Sequence, residues 1–542
     1  MDTTDLRARD GERRASPAPA APRTAPAPTA LADDARPPFA AGIVAALAVA
    51  NVAIHWLTNL VTPFGVHRDE LLYLAMGRHL HLWRMDFPPA IALLARAQHA
   101  LLGDSLFAIR IVPSLCGAAL VVLATCIARE MGGGKYAQAI AALAVLMNGV
   151  FLRAALLFQP VVLDQLCWAA ALYALARLCR DDDRRWWLAL GAALGAGLLS
   201  KLIILVLGAA MLAALLLTPM RRALATPWPW LAALLALLIG SPTIVGQVRL
   251  GFPIVGQMGE LRNAQLEHVS AGEWLTSIAT LGPTMLVAAI GAIALLGDRA
   301  MRRFRAVGLA CVIAFATIFA LHGKPYYAAP VYPALFAAGG VWFGRVRGAR
   351  VGAWVRAAMA VLIVAYGIVP VLPLALPILS VRDTARFAAA IGVTSPLRTN
   401  TGDRLTLPQD FADMLGWPEQ AAAVAAVYHA LPPEQQREAV VLAGNYGEAG
   451  AIDLYGPRHG LPPAISTQGT YYLFGPGDRP GRVLITIGLE PEHLARLYDS
   501  VRVAGYVDTP DAVPEERHVP ILVCTGPRQT LQALWPSLAG RY

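Results

Sequence analysis

A succession of long apolar runs occupies residues 39–379 and constrains the fold more than any other feature of the sequence. The chain of 542 residues is 56% hydrophobic and only 15% charged, with a mean hydropathy of +0.52. Because so few polar side chains cannot cover the surface of a soluble protein of this size, most of these runs must face lipid. About eleven transmembrane helices are predicted, near 39–62, 106–128, 136–153, 161–179, 186–199, 202–218, 228–246, 274–297, 304–321, 327–344 and 353–379.

Basic residues fall in every second loop between these runs. Cytoplasmic loops carry such an excess of Lys and Arg, so the pattern predicts a cytoplasmic N-terminus and, with an odd helix count, a periplasmic C-terminal region. We therefore expect a multi-pass protein of a bacterial inner membrane. The net charge of +9 is spread over these loops instead of forming one stripe, which argues against a nucleic-acid partner. The basic loop residues are Arg129, Lys135, Arg177, Arg180, Arg184, Arg185, Arg221, Arg222, Arg299, Arg302, Arg303, Arg305, Arg345, Arg347, Arg350 and Arg356.

The two ends of the chain differ from its apolar middle. Residues 1–38 repeat Pro and Ala and lack large apolar side chains, so we predict a disordered cytoplasmic tail. Residues 380–542 are long enough to bury a core, and we predict a periplasmic α/β domain there. Its predicted strands are Val440–Ala443, Tyr471–Phe474, Val483–Ile487 and Val519–Cys524, and its predicted helices are Gln409–Leu415, Glu419–Ala430 and Glu492–Tyr498. The predicted fold class is mainly α.

Ionisable residues near the predicted outer ends of the helices indicate a functional site. Asp69 and Glu70 follow the first helix, Asp164 lies one turn into the fourth, and Lys201 and Lys324 lie at later helix ends. Such groups cost several kcal/mol near hydrocarbon unless they are paired or line a wet cavity. Chance would spread them over both faces of the membrane, whereas here the predicted topology puts all five on one face.

These residue types suit one kind of reaction. A carboxylate can take a proton from an acceptor hydroxyl, and Lys or Arg can neutralise a departing phosphate. Arg110 and Arg153, at outer helix ends, add to the cations, and the set suits a lipid phosphate whose tail stays in the bilayer. Structural roles remain open as well: Asp69 and Asp164 as helix caps, Lys201 as a side chain that extends to the interface, and Tyr326 and Tyr327 as interfacial anchors.

Several motifs together resemble the GT-C superfamily of polyprenyl-phosphate-sugar glycosyltransferases. More closely, they are similar to the family 39 and aminoarabinose-transferase-like group, which includes protein O-mannosyltransferases. The resemblance runs through about residues 39–345, and a tail segment looks like one found in many bacterial members. The motifs are Asp69-Glu70, Asp86-Phe87-Pro88-Pro89, Gly103-Asp104-Ser105 with Arg110, Gly197–Lys201, Lys324–Pro330 and, in the tail, Gly444–Gly456.

The resemblance implies an inverting transfer of one sugar from a polyprenyl-phosphate lipid, without a nucleotide, to a periplasmic glycan, lipid or protein. Asp69 is then the expected general base, with Glu70 beside it and Asp164 at a second acidic position. Some members bind a divalent metal near these acids, so Mg²⁺ or Mn²⁺ is possible, but no ligand set can be assigned. The residues expected to bind the donor phosphate are Lys201, Lys324, Arg110, Tyr326 and Tyr327. Those expected to contact the acceptor or gate the site are Arg68, Asp86, Arg153, Asn445 and Glu448.

Two other classes of function fit parts of the sequence. A polytopic transporter or lipid flippase would also place charges within a membrane, and a scaffold with an outer binding domain would explain the tail. The sequence shows no paired halves, and its charges gather at one predicted face instead of the midplane, which favours the enzyme. The sequence does not indicate the sugar or the acceptor.

Overall fold

Helices make up most of the chain in the computed structural model. The structure describes residues 36–181, 183–266, 269–346, 348–392 and 397–538, so the predicted tail lies outside them as far as residue 35. The helices up to residue 375 are α1 (Ala41–Val61), α2 (Arg68–Arg78), α3 (Ala90–Leu102), α4 (Leu106–Ile109), α5 (Ile111–Glu130), α6 (Lys135–Leu146), α7 (Gly149–Leu156), α8 (Pro160–Asp181), α9 (Arg185–Ser200), α10 (Ile204–Leu216), α11 (Trp228–Arg249), α12 (Pro253–Ala264), α13 (Ala271–Thr280), α14 (Pro283–Gly297), α15 (Arg305–Ala320), α16 (Tyr332–Gly344), α17 (Ala349–Tyr366) and α18 (Leu372–Ala375).

The count of helices able to cross a membrane is lower than the eleven predicted. Among the described residues, six helical segments are long and apolar enough, and the number rises to nine if each bent pair forms one span. The bent pairs are α6 with α7 at 62°, α10 with the 3₁₀ turn Pro219–Ala225 at 106°, and α13 with α14 at 108°. The other two predicted spans coincide with α9 and α16, which have only 16 and 13 residues.

The predicted break at Lys201 is present in the structure. Helix α9 ends at Ser200, Lys201 has an extended backbone (φ −160°, ψ 133°), and α10 begins at Ile204. Close helix crossings elsewhere depend on glycine: a Cβ atom on Gly291 of α14 would collide with the carbonyl oxygen of Leu335, and one on Gly339 of α16 with that of Val287. These two glycines let the backbones of α14 and α16 touch, as small residues do in membrane bundles.

The C-terminal region contains a small mixed sheet. Its strand order is β2-β1-β3-β5-β4, with β1 parallel to β2 and β3, and β5 antiparallel to β3 and β4. The strands are β1 (Ala439–Ala443), β2 (Ala464–Ser466), β3 (Val483–Ile487), β4 (Tyr498–Asp508) and β5 (His518–Pro527). The helices are α19 (Val381–Ile391), α20 (Gln409–Ala412), α21 (Trp417–His429), α22 (Pro433–Glu438), α23 (Tyr446–Tyr455), α24 (Pro491–Leu494) and α25 (Leu531–Leu534).

The structure confirms three of the four predicted strands, as β1, β3 and β5. The prediction of a strand at Tyr471–Phe474 was wrong, because this segment forms the 3₁₀ turn Gly469–Phe474. There the Tyr471 hydroxyl donates to Asp453 at 2.9 Å, and the ring of Tyr472 stacks on Trp535. Strands β2 and β4 were not predicted, since β2 has three residues and much of β4 is exposed.

The helix predictions in the same region were partly right. Helix α21 matches the prediction for 419–430, but α20 covers only the first four residues of the predicted 409–415. The prediction of a helix through Tyr498 was wrong, because α24 ends at Leu494 and Tyr498 begins β4, opposite Pro527. The class is therefore mainly α, as predicted, with a small C-terminal sheet.

Helix α2, in the first loop, packs between α3 and the C-terminal region. On one side, its residue Gly77 lies so close to α3 that a Cβ atom would come within 2.7 Å of the Cβ of Ala95. On another side, a Cβ atom on Gly450 of α23 would come within 2.6 Å of the Cβ of Leu71. Residues from Pro37 onward cluster as one compact unit. The end of α2 is thus packed against α3 and its beginning against α23.

Candidate functional site

The start of α2 directs two adjacent carboxylates in different directions. His67 caps the helix. Its side-chain Nδ1 accepts the backbone N–H of Asp69 at 3.0 Å, and its backbone N–H donates to the side chain of Glu70 at 2.8 Å. This reciprocal capping fixes the first turn. Because neighbouring residues of a helix point about 100° apart, the two carboxylates diverge. Asp69 is half-buried and lines a cavity, whereas Glu70 is fully buried beneath it.

Glu70 forms a buried ion pair with Arg110, and neither side chain is exposed. The carboxylate accepts from Nε and Nη2 of Arg110 at 3.0 and 2.8 Å and from the backbone N–H of Phe158 at 2.7 Å, besides that of His67. Burial alone would raise the pKa of Glu70, but the guanidinium and the two backbone donors hold it below its usual value. Neither residue lines the cavity, so the structure places Arg110 away from the predicted donor-phosphate site.

Asp69 is held by one hydrogen bond on each carboxylate oxygen. The side-chain amide of Gln159 donates to Oδ2 at 3.1 Å, and the hydroxyl of Tyr446 donates to Oδ1 at 3.0 Å. Because a carboxylate oxygen can accept two hydrogen bonds, each oxygen keeps acceptor capacity toward the cavity. The arrangement leaves Asp69 able to receive a proton from a bound hydroxyl.

The cavity beside Asp69 has a volume of about 590 Å³. Part of its lining is apolar and comes from the helix ends around Ala154, Leu281 and Val371. The charged residues of the lining are Arg68, Asp69, Arg153, Glu273, Lys324, Arg398, Asp410, Asp413 and Glu515. A cavity lined by both apolar and charged groups suits a molecule with an apolar chain and a polar head.

Two lysines, Lys324 and Lys201, form no salt bridge with a carboxylate in the described part of the chain. Lys324 donates to the amide oxygens of Gln265 at 2.6 Å and Asn400 at 2.7 Å, both neutral. Burial, with the nearby charge of Lys201, lowers the pKa of Lys324. Lys201 lies over the ring of Tyr327, 4.5 Å from its centroid, but does not line the cavity. Tyr326 lines the cavity.

The arginines predicted to contact the acceptor are instead paired with acids. Arg153 donates to Asp410 at 2.6 Å and to two backbone carbonyls of the α18 segment. Arg68 donates to Glu515 at 2.7 Å and lies 3.5 Å from Asp413. Both arginines line the cavity, but each already has a carboxylate partner. Their charges are therefore partly neutralised before any ligand binds.

Sequence reasoning missed the acids at Asp410 and Asp413. They lie on the segment around α20, line the cavity, and approach Nε2 of His67 at 3.7 and 3.9 Å. The sequence of Gln409–Leu415 by itself predicts only a helix. The spacing of two acids three residues apart on a short helix was the available signal, since it puts both on one face.

Asp164 and Asp86, two further predicted site residues, also lie away from the cavity. Asp164 accepts from the indole N–H of Trp168 at 3.0 Å and is close enough to Lys201 for their charges to interact. Asp86 is buried, where it accepts from Thr470 at 3.0 Å and Gln257 at 3.2 Å, and burial raises its pKa. Neither carboxylate lines the cavity with Asp69. Asp86 instead ties the first loop to α12 and the C-terminal region.

Asn445 and Glu448 cap the start of α23. The Asn445 side chain accepts the N–H groups of Gly447 and Glu448, and Glu448 accepts the N–H of Asn445 at 3.1 Å. Asn445 also donates to Glu516 at 2.8 Å. Burial, with the neighbouring Glu516, raises the pKa of Glu448 well above its usual value. These two residues are committed to the helix start, whereas the adjacent Tyr446 reaches the cavity.

A metal site is not evident around these acids. In the described ranges, no group of three or more His, Cys, Asp or Glu side chains is arranged to hold a metal ion. We therefore route no step of the reaction through a metal, and the requirement for Mg²⁺ or Mn²⁺ stays a prediction.

Known proteins share parts of this sequence and this architecture. Residues 86–245 match the family model described as dolichyl-phosphate-mannose-protein mannosyltransferase. ArnT from Cupriavidus metallidurans bound to undecaprenyl phosphate superposes with a TM-score of 0.56 at 16% identity, over 89% of this chain and 98% of that one. The chain has the GT-C fold. The apo form of ArnT gives the same TM-score at 18% identity and the same coverage.

A second GT-C structure shares the fold more distantly. The apo Archaeoglobus fulgidus oligosaccharyltransferase matches with a TM-score of 0.50 at 12% identity, over 79% of this chain and 64% of that one. Curated protein sequences give no significant match. The resemblance to the GT-C superfamily, predicted from the motifs, is thus confirmed. The family match begins after Asp69 and Glu70 and includes Asp164 and Lys201.

Proposed function

We propose that this GT-C chain transfers a single sugar from a polyprenyl-phosphate carrier to a hydroxyl-bearing glycan, lipid or protein. The observation that carries the proposal is the pairing of two groups in one cavity. Asp69 is a carboxylate with free acceptor capacity, and Lys324 is a cation that donates to the neutral amides of Gln265 and Asn400. A base and a cation are what displacement of a phosphate by a hydroxyl requires.

The proposed step is a single displacement with inversion at the anomeric carbon. The acceptor hydroxyl gives its proton to Asp69 while its oxygen bonds to the anomeric carbon. The bond from that carbon to the phosphate oxygen breaks, and its electron pair stays on the phosphate. Lys324, with Lys201 next to it, stabilises the charge that develops there. No nucleotide takes part.

The apolar residues that line the cavity support a lipid-linked donor. Helix ends such as those at Ala154 and Leu281 line it, so a polyprenyl chain can remain among the helices while its phosphate reaches Lys324. The ArnT structure that shares this fold is bound to undecaprenyl phosphate. We extend that ligand class to this chain as part of the proposal.

The proposed location of the reaction is the periplasmic face of the inner membrane. The basic loops predict a cytoplasmic N-terminus, and the cavity lies at the opposite ends of the predicted helices. A multi-pass protein is consistent with the six to nine helices able to cross a membrane in the described residues. Accessibility of introduced cysteines from each side would test the orientation: a residue such as Ser500 should be labelled from the periplasm only.

Substitution of Asp69 by Asn tests the base. The variant should lose at least about a hundredfold in kcat, the usual size of a general-base contribution, while binding of undecaprenyl phosphate stays within about twofold. The matched control is Asp499→Asn, an aspartate 73% exposed on β4 and outside the cavity, which should keep full activity. Transfer of radiolabelled sugar in nanodiscs measures kcat, and full activity of Asp69→Asn would refute the assignment.

A further inference from the structure

The C-terminal region supplies a direct partner to the proposed base. The hydroxyl of Tyr446 donates to Oδ1 of Asp69 at 3.0 Å although the two residues are 377 positions apart in the chain. Gln159 donates to the other oxygen at 3.1 Å. With both oxygens held, the carboxylate cannot rotate freely about its own axis. Its orientation in the cavity is therefore set from outside the first loop.

The position of Tyr446 is fixed by close packing of α23 on α2. A Cβ atom on Gly447 would come within 2.7 Å of the Cγ of Arg68, and one on Gly450 within 2.6 Å of the Cβ of Leu71. The two glycines, three residues apart, lie on one face of α23 and allow its backbone to touch α2. The cap at Asn445 starts the helix directly before Tyr446.

The ring of Tyr446 is also held. The guanidinium of Arg68 lies 5.6 Å from its centroid, a cation–π contact, and Arg68 is itself anchored by Glu515 at 2.7 Å. A tyrosine whose ring and hydroxyl are both fixed differs from an exposed aromatic residue that only covers a cavity.

We propose that Tyr446 is a positioning residue for Asp69, through which the C-terminal region completes the active site. The hydroxyl keeps one acceptor position of the carboxylate pointing toward the bound hydroxyl of the acceptor substrate. This proposal rests on the proposed function, since it gives Asp69 the role of base.

Replacing Tyr446 by Phe removes the hydroxyl and keeps the ring. We expect kcat to fall about tenfold, the size expected for a hydrogen bond to a charged group, with the KM for donor lipid within about twofold. The control is Tyr472→Phe, whose ring stacks on Trp535 and whose hydroxyl makes no hydrogen bond within the described part of the chain.

A purely structural role for Tyr446 would lower the amount of folded enzyme without separating kcat from KM.

Disrupting the packing of α23 on α2 should have the same effect on kcat as removing the hydroxyl of Tyr446. Gly450→Val places a side chain against Leu71 and should lower kcat at least as far as Tyr446→Phe does, whereas Gly505→Ala, with open space around its Cβ, should not. If Asp69→Asn is inactive but both α23 variants match the wild type, the positioning role fails and the base survives. If Asp69→Asn is fully active, the proposed function itself fails.

Discussion

Substituting Glu70 by Gln should destabilise the protein strongly, although the change removes only one charge. Both oxygens of Glu70 accept two hydrogen bonds, from Arg110 and Phe158 on one and from Arg110 and His67 on the other. A glutamine turned either way points an NH₂ group at two donors, so two hydrogen bonds are lost. The guanidinium also remains buried without its counter-charge, and such broken pairs cost about 3–5 kcal/mol.

The free energy of unfolding can be measured by titration with sodium dodecyl sulfate in mixed micelles. Glu515→Gln is the matched control, because this glutamate is 52% exposed and its pair with Arg68 contributes under about 1 kcal/mol. The double variant Glu70→Leu with Arg110→Met should recover part of the loss, since it removes both buried charges.

Two results would contradict the reasoning about Glu70. If Glu70→Gln unfolds at the same free energy as the wild type, the buried pair does not hold the first loop. If it is as stable as the wild type but inactive in transfer, Glu70 takes part in the chemistry, as the adjacent acids had suggested from sequence. A loss of stability with activity retained per folded molecule supports a structural role.

Three further outcomes are expected. Burial raises the pKa of Asp453 to about 6, above its value in the unfolded chain. Its contribution to stability is therefore greatest below about pH 4 and is lost, by roughly 3 kcal/mol in all, as pH rises through 6. Asp453→Asn should abolish the part of this loss that thermal unfolding detects between about pH 4.5 and 7.5. Lys324→Met should weaken binding of undecaprenyl phosphate about tenfold in a filter assay, whereas Lys135→Met should leave it unchanged. Gly291→Ala should cost about 1–3 kcal/mol by overpacking, against a neutral effect or a small gain for Gly208→Ala, whose Cβ would meet nothing within 4 Å.

The membrane helices could be predicted because their signal is local. Apolar runs report directly on transfer from water to lipid, and the break at Lys201 is marked by a charge in such a run. The bend of 108° is not local in this sense, since α13 continues into the apolar helix α14 and hydropathy joins the two into one span. In the tail, β1, β3 and β5 are apolar runs, but β4 is largely exposed, so its sequence lacks that signal.

The residue types of the site could be predicted from the sequence, but their contacts with one another could not. Asp69 and Glu70 are adjacent in the sequence, and nothing in the sequence distinguishes them. Only the direction of the first turn of α2 places Asp69 in the lining of the cavity and Glu70 in a buried ion pair. No local pattern indicates that Arg110 belongs to Glu70 or that Tyr446 belongs to Asp69, because those contacts join distant segments. Asp410 was missed for the same reason: its partners His67 and Arg153 come from other helices.

The buried pair at Glu70 has a consequence for the order in which the chain matures. Its fourth donor, the backbone N–H of Phe158, is synthesised 88 residues after Glu70. The first loop therefore cannot reach its final form when the first helix enters the membrane, and must wait for α7 and the segment that follows it. Asp69 gains Tyr446 only 377 residues after its own synthesis. A nascent or truncated chain thus carries the carboxylate without its full set of partners, and the cavity becomes complete only when the last quarter of the polypeptide has folded.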